Sequence, residues 1–175
     1  MMLLSEDTVR AYVAEELPAA KAWAQRRGRQ LSFDEEALSL TLPLYGPRAS
    51  DNGDPEAYCL RGTFDDYRAV PPTWWFIHPD SEADIGPAAY PASPSPHPRG
   101  SGLFLASGPT GAVICAHFNR LAYAEEQGPH GDWGATTNWL NTPPSNYTRA
   151  ETIGDMLARI SLEVDESQGR MAPLP

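Results

Sequence analysis

Leu38-Ser-Leu-Thr-Leu-Pro-Leu-Tyr45 alternates apolar with polar residues, the period-two pattern of a strand with one buried face. Pro43 has no N–H for a ladder and so points to an edge position or a strand end. After the turn-rich stretch 46–55, Glu56-Ala-Tyr-Cys-Leu-Arg-Gly-Thr-Phe64 reads as a second strand, and the short link between the two suits an antiparallel hairpin. Pro71-Pro-Thr-Trp-Trp-Phe-Ile77 reads as a third, whose aromatics are expected to pack on a helix or cover the sheet.

Upstream, residues 5–27 read as helical. Ser5 suits an N-cap, and Glu6 and Asp7 place negative charge in the first turn, where the helix dipole favours it. Val9, Tyr12, Val13 and Leu17 form an apolar stripe. Pro18 removes a backbone donor and is expected to kink or split the helix, with 19–27 as a second piece stopped by Gly28.

Downstream, residues 80–102 carry five prolines and form a loop of functional length. Gly102-Leu-Phe-Leu105 suggests a short strand, and a turn at 108–111 leads into the apolar run Ala112-Val-Ile-Cys115. Residues 128–144 are irregular and hold Trp133 and Trp139. Thr148-Arg-Ala-Glu151 has the spacing of a capping box. Ile153, Met156, Leu157, Ile160 and Val164 mark an amphipathic helix closed near Gly169. The charges Glu163, Asp165 and Glu166 read as its solvated face. The expectation is one α+β domain over residues 1–175, with helices packed on one face of an antiparallel meander.

A chain of 175 residues buries on the order of 70% of its unfolded surface and needs no staples. A net charge of −10 argues against nucleic acid and against anionic membranes as partners, and steers association with basic protein surfaces. No apolar run approaches the ~20 residues of a membrane span. The acidic start is unlike a signal peptide. Two cysteines, Cys59 and Cys115, make neither a disulfide framework nor a paired-Cys zinc site. The expected compartment is the reducing cytoplasm, where a free thiol can work. Cys59, between Tyr58 and Leu60 within a strand, reads as core.

Several features stand in a familiar order: the N-terminal helix; Gly62-Thr-Phe64, Asp66-Tyr67 and Pro71-Pro72 leading into an apolar strand; His97-Pro98 and Gly111-Ala-Val-Ile-Cys115; a Trp after the cysteine (Trp133 or Trp139); and a capped final helix. In this order the chain resembles ubiquitin-conjugating enzymes, and more closely the divergent bacterial members found in ubiquitin-like conjugation operons of antiphage defence. The resemblance spans residues 5–170. It departs from the family's His-Pro-Asn, since Arg99 stands where the Asn would be. The His-Pro also lies farther from the cysteine than is usual, and His78-Pro79 is a second candidate for it.

The resemblance implies that Cys115 accepts a ubiquitin-like protein as a thioester from an adenylating, activating enzyme and passes it to an acceptor amine. The implied partners are proteins, with no metal and no bound cofactor. In the family the first helix docks the activating enzyme, and here its exposed face carries Arg10, Lys21, Arg26 and Arg27. A thiol suits this chemistry because it is both a nucleophile and a good leaving group. At an ordinary pKa of ~8.5 it is mostly protonated near neutrality and gains from a neighbouring base. His117 and His97 are the candidate catalytic partners of Cys115, with Arg99 and His130 in adjoining loops. Asn119 and Asn138 are candidates to replace the missing Asn as oxyanion donors. Two other functions compete: an inactive conjugating-fold module that binds the modifier or the activating enzyme, and a Cys-dependent hydrolase, for which no protease or elbow signature speaks. A metal site of His78, His97, His117 and His130 lacks ligand spacing.

Overall fold

A computed structural model describes residues 2–49, 52–98, 102–108, 110–141 and 149–175. Helix α1 (Glu6–Arg26) leads into a four-stranded antiparallel meander: β1 (Ser32–Asp34), β2 (Ser39–Ala49), β3 (Pro55–Thr63) and β4 (Thr73–Ile77). A two-stranded hairpin follows, β5 (Phe104–Leu105) with β6 (Val113–Ile114), and the last helix is α2 (Ile153–Asp165). The α+β order expected from the sequence is present. The short β1 has no signature in the sequence, since three residues are too few to show a period.

The register explains the alternation. Leu40, Gly62 and Trp74 lie abreast across β2, β3 and β4, as do Leu42, Leu60 and Phe76. All six are fully buried or nearly so. Trp74 covers the backbone at Gly62, where an added Cβ would stand 2.3 Å from the indole. Trp74 and Phe76 are therefore core residues, and Trp75 between them lies half-buried against that core.

Both helices join the same core. Val9, Val13, Leu17, Ala20 and Ala24 are the buried stripe of α1. Pro18 neither splits nor ends this helix, which runs unbroken through it. The proline is on the exposed side, so the carbonyl it leaves without an N–H faces water, while the buried stripe holds the helix together. The crossing with α2 is close: a Cβ on Gly154 would meet Ala20 at 3.9 Å. Glu16 of α1 accepts the Ile153 N–H at the start of α2, where the dipole favours a carboxylate, and also the Tyr67 hydroxyl, each at 2.8 Å.

The sequence-expected stripe of α2 is buried at all five positions. Its cap lies elsewhere than expected. Thr152 is the N-cap and its hydroxyl accepts the Asp155 N–H, whereas Thr148 lies outside the described residues. Glu163 also corrects the expectation of a solvated face. It is wholly buried, because it follows Ile160 by three residues and so shares the apolar side. No helix among the described residues is long and apolar enough to cross a membrane.

Because the Gly62 Cα hydrogens lie under the Trp74 ring, Gly62→Ala should cost about 1–3 kcal/mol through overpacking, read as a lower urea midpoint. An unchanged midpoint would mean that the indole does not seat on this strand.

Candidate functional site

Cys115 is the first residue after β6. Its N–H donates to the Leu103 carbonyl at 2.6 Å, so that N–H is not free to face an oxyanion. The Leu103 N–H in turn donates to Glu163 Oε1 at 2.9 Å. The cysteine strand is thus tied through one residue to the buried side of α2.

A second tie comes from Asn119. Its Oδ1 accepts the Trp74 N–H at 2.9 Å, and its amide donates to the Trp74 carbonyl at 3.1 Å and the Ile114 carbonyl at 2.8 Å. Both amide hydrogens are taken, so Asn119 is a joint between β4 and β6 rather than an oxyanion donor. Asn138 lies exposed in the 3-10 turn Thr136–Asn138, where its Oδ1 accepts from Asn141 at 3.1 Å.

His130 is the partner of the thiol. Its Nε2 is 2.6 Å from Cys115 Sγ, and its Nδ1 is 3.4 Å from Asp132 Oδ1. Fifteen residues separate Cys115 from His130, and the chain returns because the segment between closes on itself. The His130 N–H donates to the Ala122 carbonyl at 3.2 Å and the Gly128 N–H to the Tyr123 carbonyl at 2.8 Å. A Cβ on Gly128 would stand 2.3 Å from the Ala122 backbone, so a glycine is what lets this loop close. Trp133 fixes the ring face: the indole stacks on His130 at 3.8 Å between centroids and 3° between planes.

His117 stacks on the same indole at 3.9 Å and 21°. Its backbone carbonyl accepts the Tyr123 hydroxyl at 2.9 Å. Its Nδ1 is buried without a hydrogen bond, and the ring makes none to Cys115. Burial first, and then His130, lowers the His117 pKa, so it is neutral near pH 7.

Burial, and secondarily the charge of Asp132, pushes the Cys115 thiol up to about 12. Held protonated in this way, the thiol is the group that donates to Nε2. Asp132, itself exposed at 79%, favours the tautomer that carries its proton on Nδ1 and leaves Nε2 to accept. A thiol held this high is a strong nucleophile once ionised, and it needs a base at the moment of attack. The three side chains supply a nucleophile, a base and an orienting carboxylate.

His97 bonds to α2 and makes no hydrogen bond to the sulfur. Its Nε2 sits 3.0 and 2.9 Å from the two oxygens of Glu163, and the two side chains are 4% and 0% exposed. Ser93 Oγ also donates to Glu163 Oε1, at 2.5 Å. His97 therefore pins the proline-rich loop to α2 under the cysteine hairpin. His97, Glu163 and Glu166 are the set among the described residues that could hold a metal ion, with one ligand atom from each, all within 4.8 Å of one another. The Glu163 carboxylate there is already satisfied by Ser93, Leu103 and His97. His78 Nδ1 accepts the N–H groups of Asp80 and Ser81, closing the turn after β4. Arg99 lies outside the described residues. Cys59 is buried in β3, pairs with Pro43 and Ile77, and has its pKa raised by burial.

His97→Ala should destabilise the fold by about 1–3 kcal/mol, the cost of removing one partner of a buried hydrogen bond, measured by urea unfolding, and it should leave the Cys115–His130 contact in place. Wild-type stability in this variant would show that the buried pair is not a joint. No family model, no curated protein and no solved structure matches the chain.

Proposed function

We propose that the protein is a ubiquitin-conjugating-type acyl carrier, loaded on Cys115 by an activating enzyme with a ubiquitin-like protein and discharged to an acceptor amine. The observation that carries this reading is the 2.6 Å contact between Cys115 Sγ and His130 Nε2, at the end of a short hairpin seated beside the meander. In loading, Sγ attacks the carbonyl carbon of the donor thioester while its proton passes to Nε2. The donor's thiolate leaves and collects that proton. The new thioester keeps its energy because a thiol is a good leaving group.

The order of elements supports the same reading: an N-terminal helix, a four-stranded antiparallel meander, the cysteine in the segment after it, and a buried final helix. The net charge of −10 suits protein partners with basic docking surfaces. The proposal places the reaction in the cytoplasm and, through the resemblance, in a bacterial antiphage conjugation pathway.

One observation favours a second reading. The line Cys115, His130, Asp132 is also the constellation of a cysteine hydrolase. The two differ in the fate of the acyl group: a hydrolase releases it to water turn after turn, whereas a carrier holds it.

With the cognate activating enzyme, ATP and the modifier, wild-type protein should give a thiol-sensitive adduct on a non-reducing gel, and Cys115→Ala should give none. An adduct that survives Cys115→Ala, or no adduct on the wild type, overturns the carrier. Repeated turnover of an ester probe in amine-free buffer would favour the hydrolase.

A further inference from the structure

Once Cys115 is acylated, its sulfur has no proton and His130 Nε2 loses its hydrogen-bond donor. The imidazole then carries an unoccupied lone pair on the nitrogen that stands 2.6 Å from Sγ in the free thiol. The stack on Trp133 and the carboxylate of Asp132 still hold the ring. Among the described residues, His130 supplies the one side-chain hydrogen bond to Sγ. His117 makes none there, and His97 is engaged with Glu163. The base is thus built in beside the bond that must break.

We propose that His130 is the catalytic base of discharge, taking the proton of an incoming primary amine, so that this chain transfers its acyl group without a base from another protein. The inference rests on the carrier reading for the existence of the thioester. In the step, the amine nitrogen bonds to the thioester carbonyl carbon and its proton passes to Nε2. The C–S bond breaks, and the departing thiolate takes the proton from Nε2. An amide and a free thiol result, and the imidazole is restored. Asp132 is a positioning residue here, since it acts through Nδ1.

The test uses small probes in place of the modifier. The full-length protein is acetylated with 4-nitrophenyl acetate, desalted, and chased with methylamine or with buffer alone. Acetyl on Cys115 is followed by peptide mass spectrometry. Wild type should lose its acetyl group to methylamine at least about tenfold faster than His130→Gln, a modest share of what general-base catalysis supplies. Asp132→Asn, at an exposed position, should be slowed less, and its pH–rate profile should shift. Equal discharge from wild type and a folded His130→Gln overturns the inference. So does a wild-type loss that is the same with and without methylamine, since water is then the acceptor. Should His130→Gln not fold, Asp132→Asn decides alone: a wild-type rate and profile overturn the inference. Failure of the carrier reading looks different. It leaves Cys115 unloaded by activating enzyme and modifier, whereas failure here is a loaded Cys115 whose discharge ignores His130.

Discussion

The buried carboxamide of Asn119 is the joint on which the site depends. It is wholly buried, and burying an amide costs several kcal/mol unless its hydrogen bonds are made. Here they are made, to both backbone groups of Trp74 and to the carbonyl of Ile114. The arrangement fixes the cysteine hairpin against the last strand of the meander, and any slip of one against the other leaves the amide unpaired. Asn119 also opens the 3-10 turn Arg120–Ala122, which starts the loop that returns His130 to the sulfur. One side chain thus sets the cysteine and the path of its base together.

Glu163 does the same from the helix side. Its carboxylate gathers Ser93, His97 and the Leu103 N–H, and Leu103 holds the Cys115 N–H. The proline-rich loop, the cysteine hairpin and α2 meet at this group. Such fully satisfied buried networks are costly to break and specify one arrangement. The thiol then sits in a frame whose burial holds it protonated, with the His130 imidazole beside it.

Much of the frame was legible in the sequence because it repeats. The alternation at 38–45 and 56–64 and the helical stripes of α1 and α2 have periods, and the structure places them as strands and helices with the expected faces buried. What lacked a period was misread or missed: the three-residue β1, the position of the α2 cap, and the continuity of α1 through Pro18. Glu163 was misread because charge suggested water, although its spacing from Ile153, Met156 and Ile160 put it on the buried side. At the site, the apolar run 112–115 marks a strand, and Cys115 directly follows the strand Val113–Ile114. His130 was named only among several histidines. Its pairing with Cys115 depends on a fifteen-residue excursion closed by backbone hydrogen bonds within the loop, from Gly128 to Tyr123 and from His130 to Ala122, and no periodic pattern encodes such a closure. Trp133 joins two histidines by stacking, and this too arises only in three dimensions.

Cysteine-resolved alkylation of the native protein tests most directly whether His130 activates the Cys115 thiol. With limiting iodoacetamide near neutral pH, Cys115 should be labelled ahead of Cys59, which is buried within the sheet. His130→Gln should slow the Cys115 reaction at least about tenfold. Since the thiol is pushed up to about 12, labelling in His130→Gln should keep rising with pH beyond the ordinary thiol range, as the thiolate fraction grows. Labelling of Cys115 no faster than Cys59, or a rate indifferent to His130→Gln, would contradict the account.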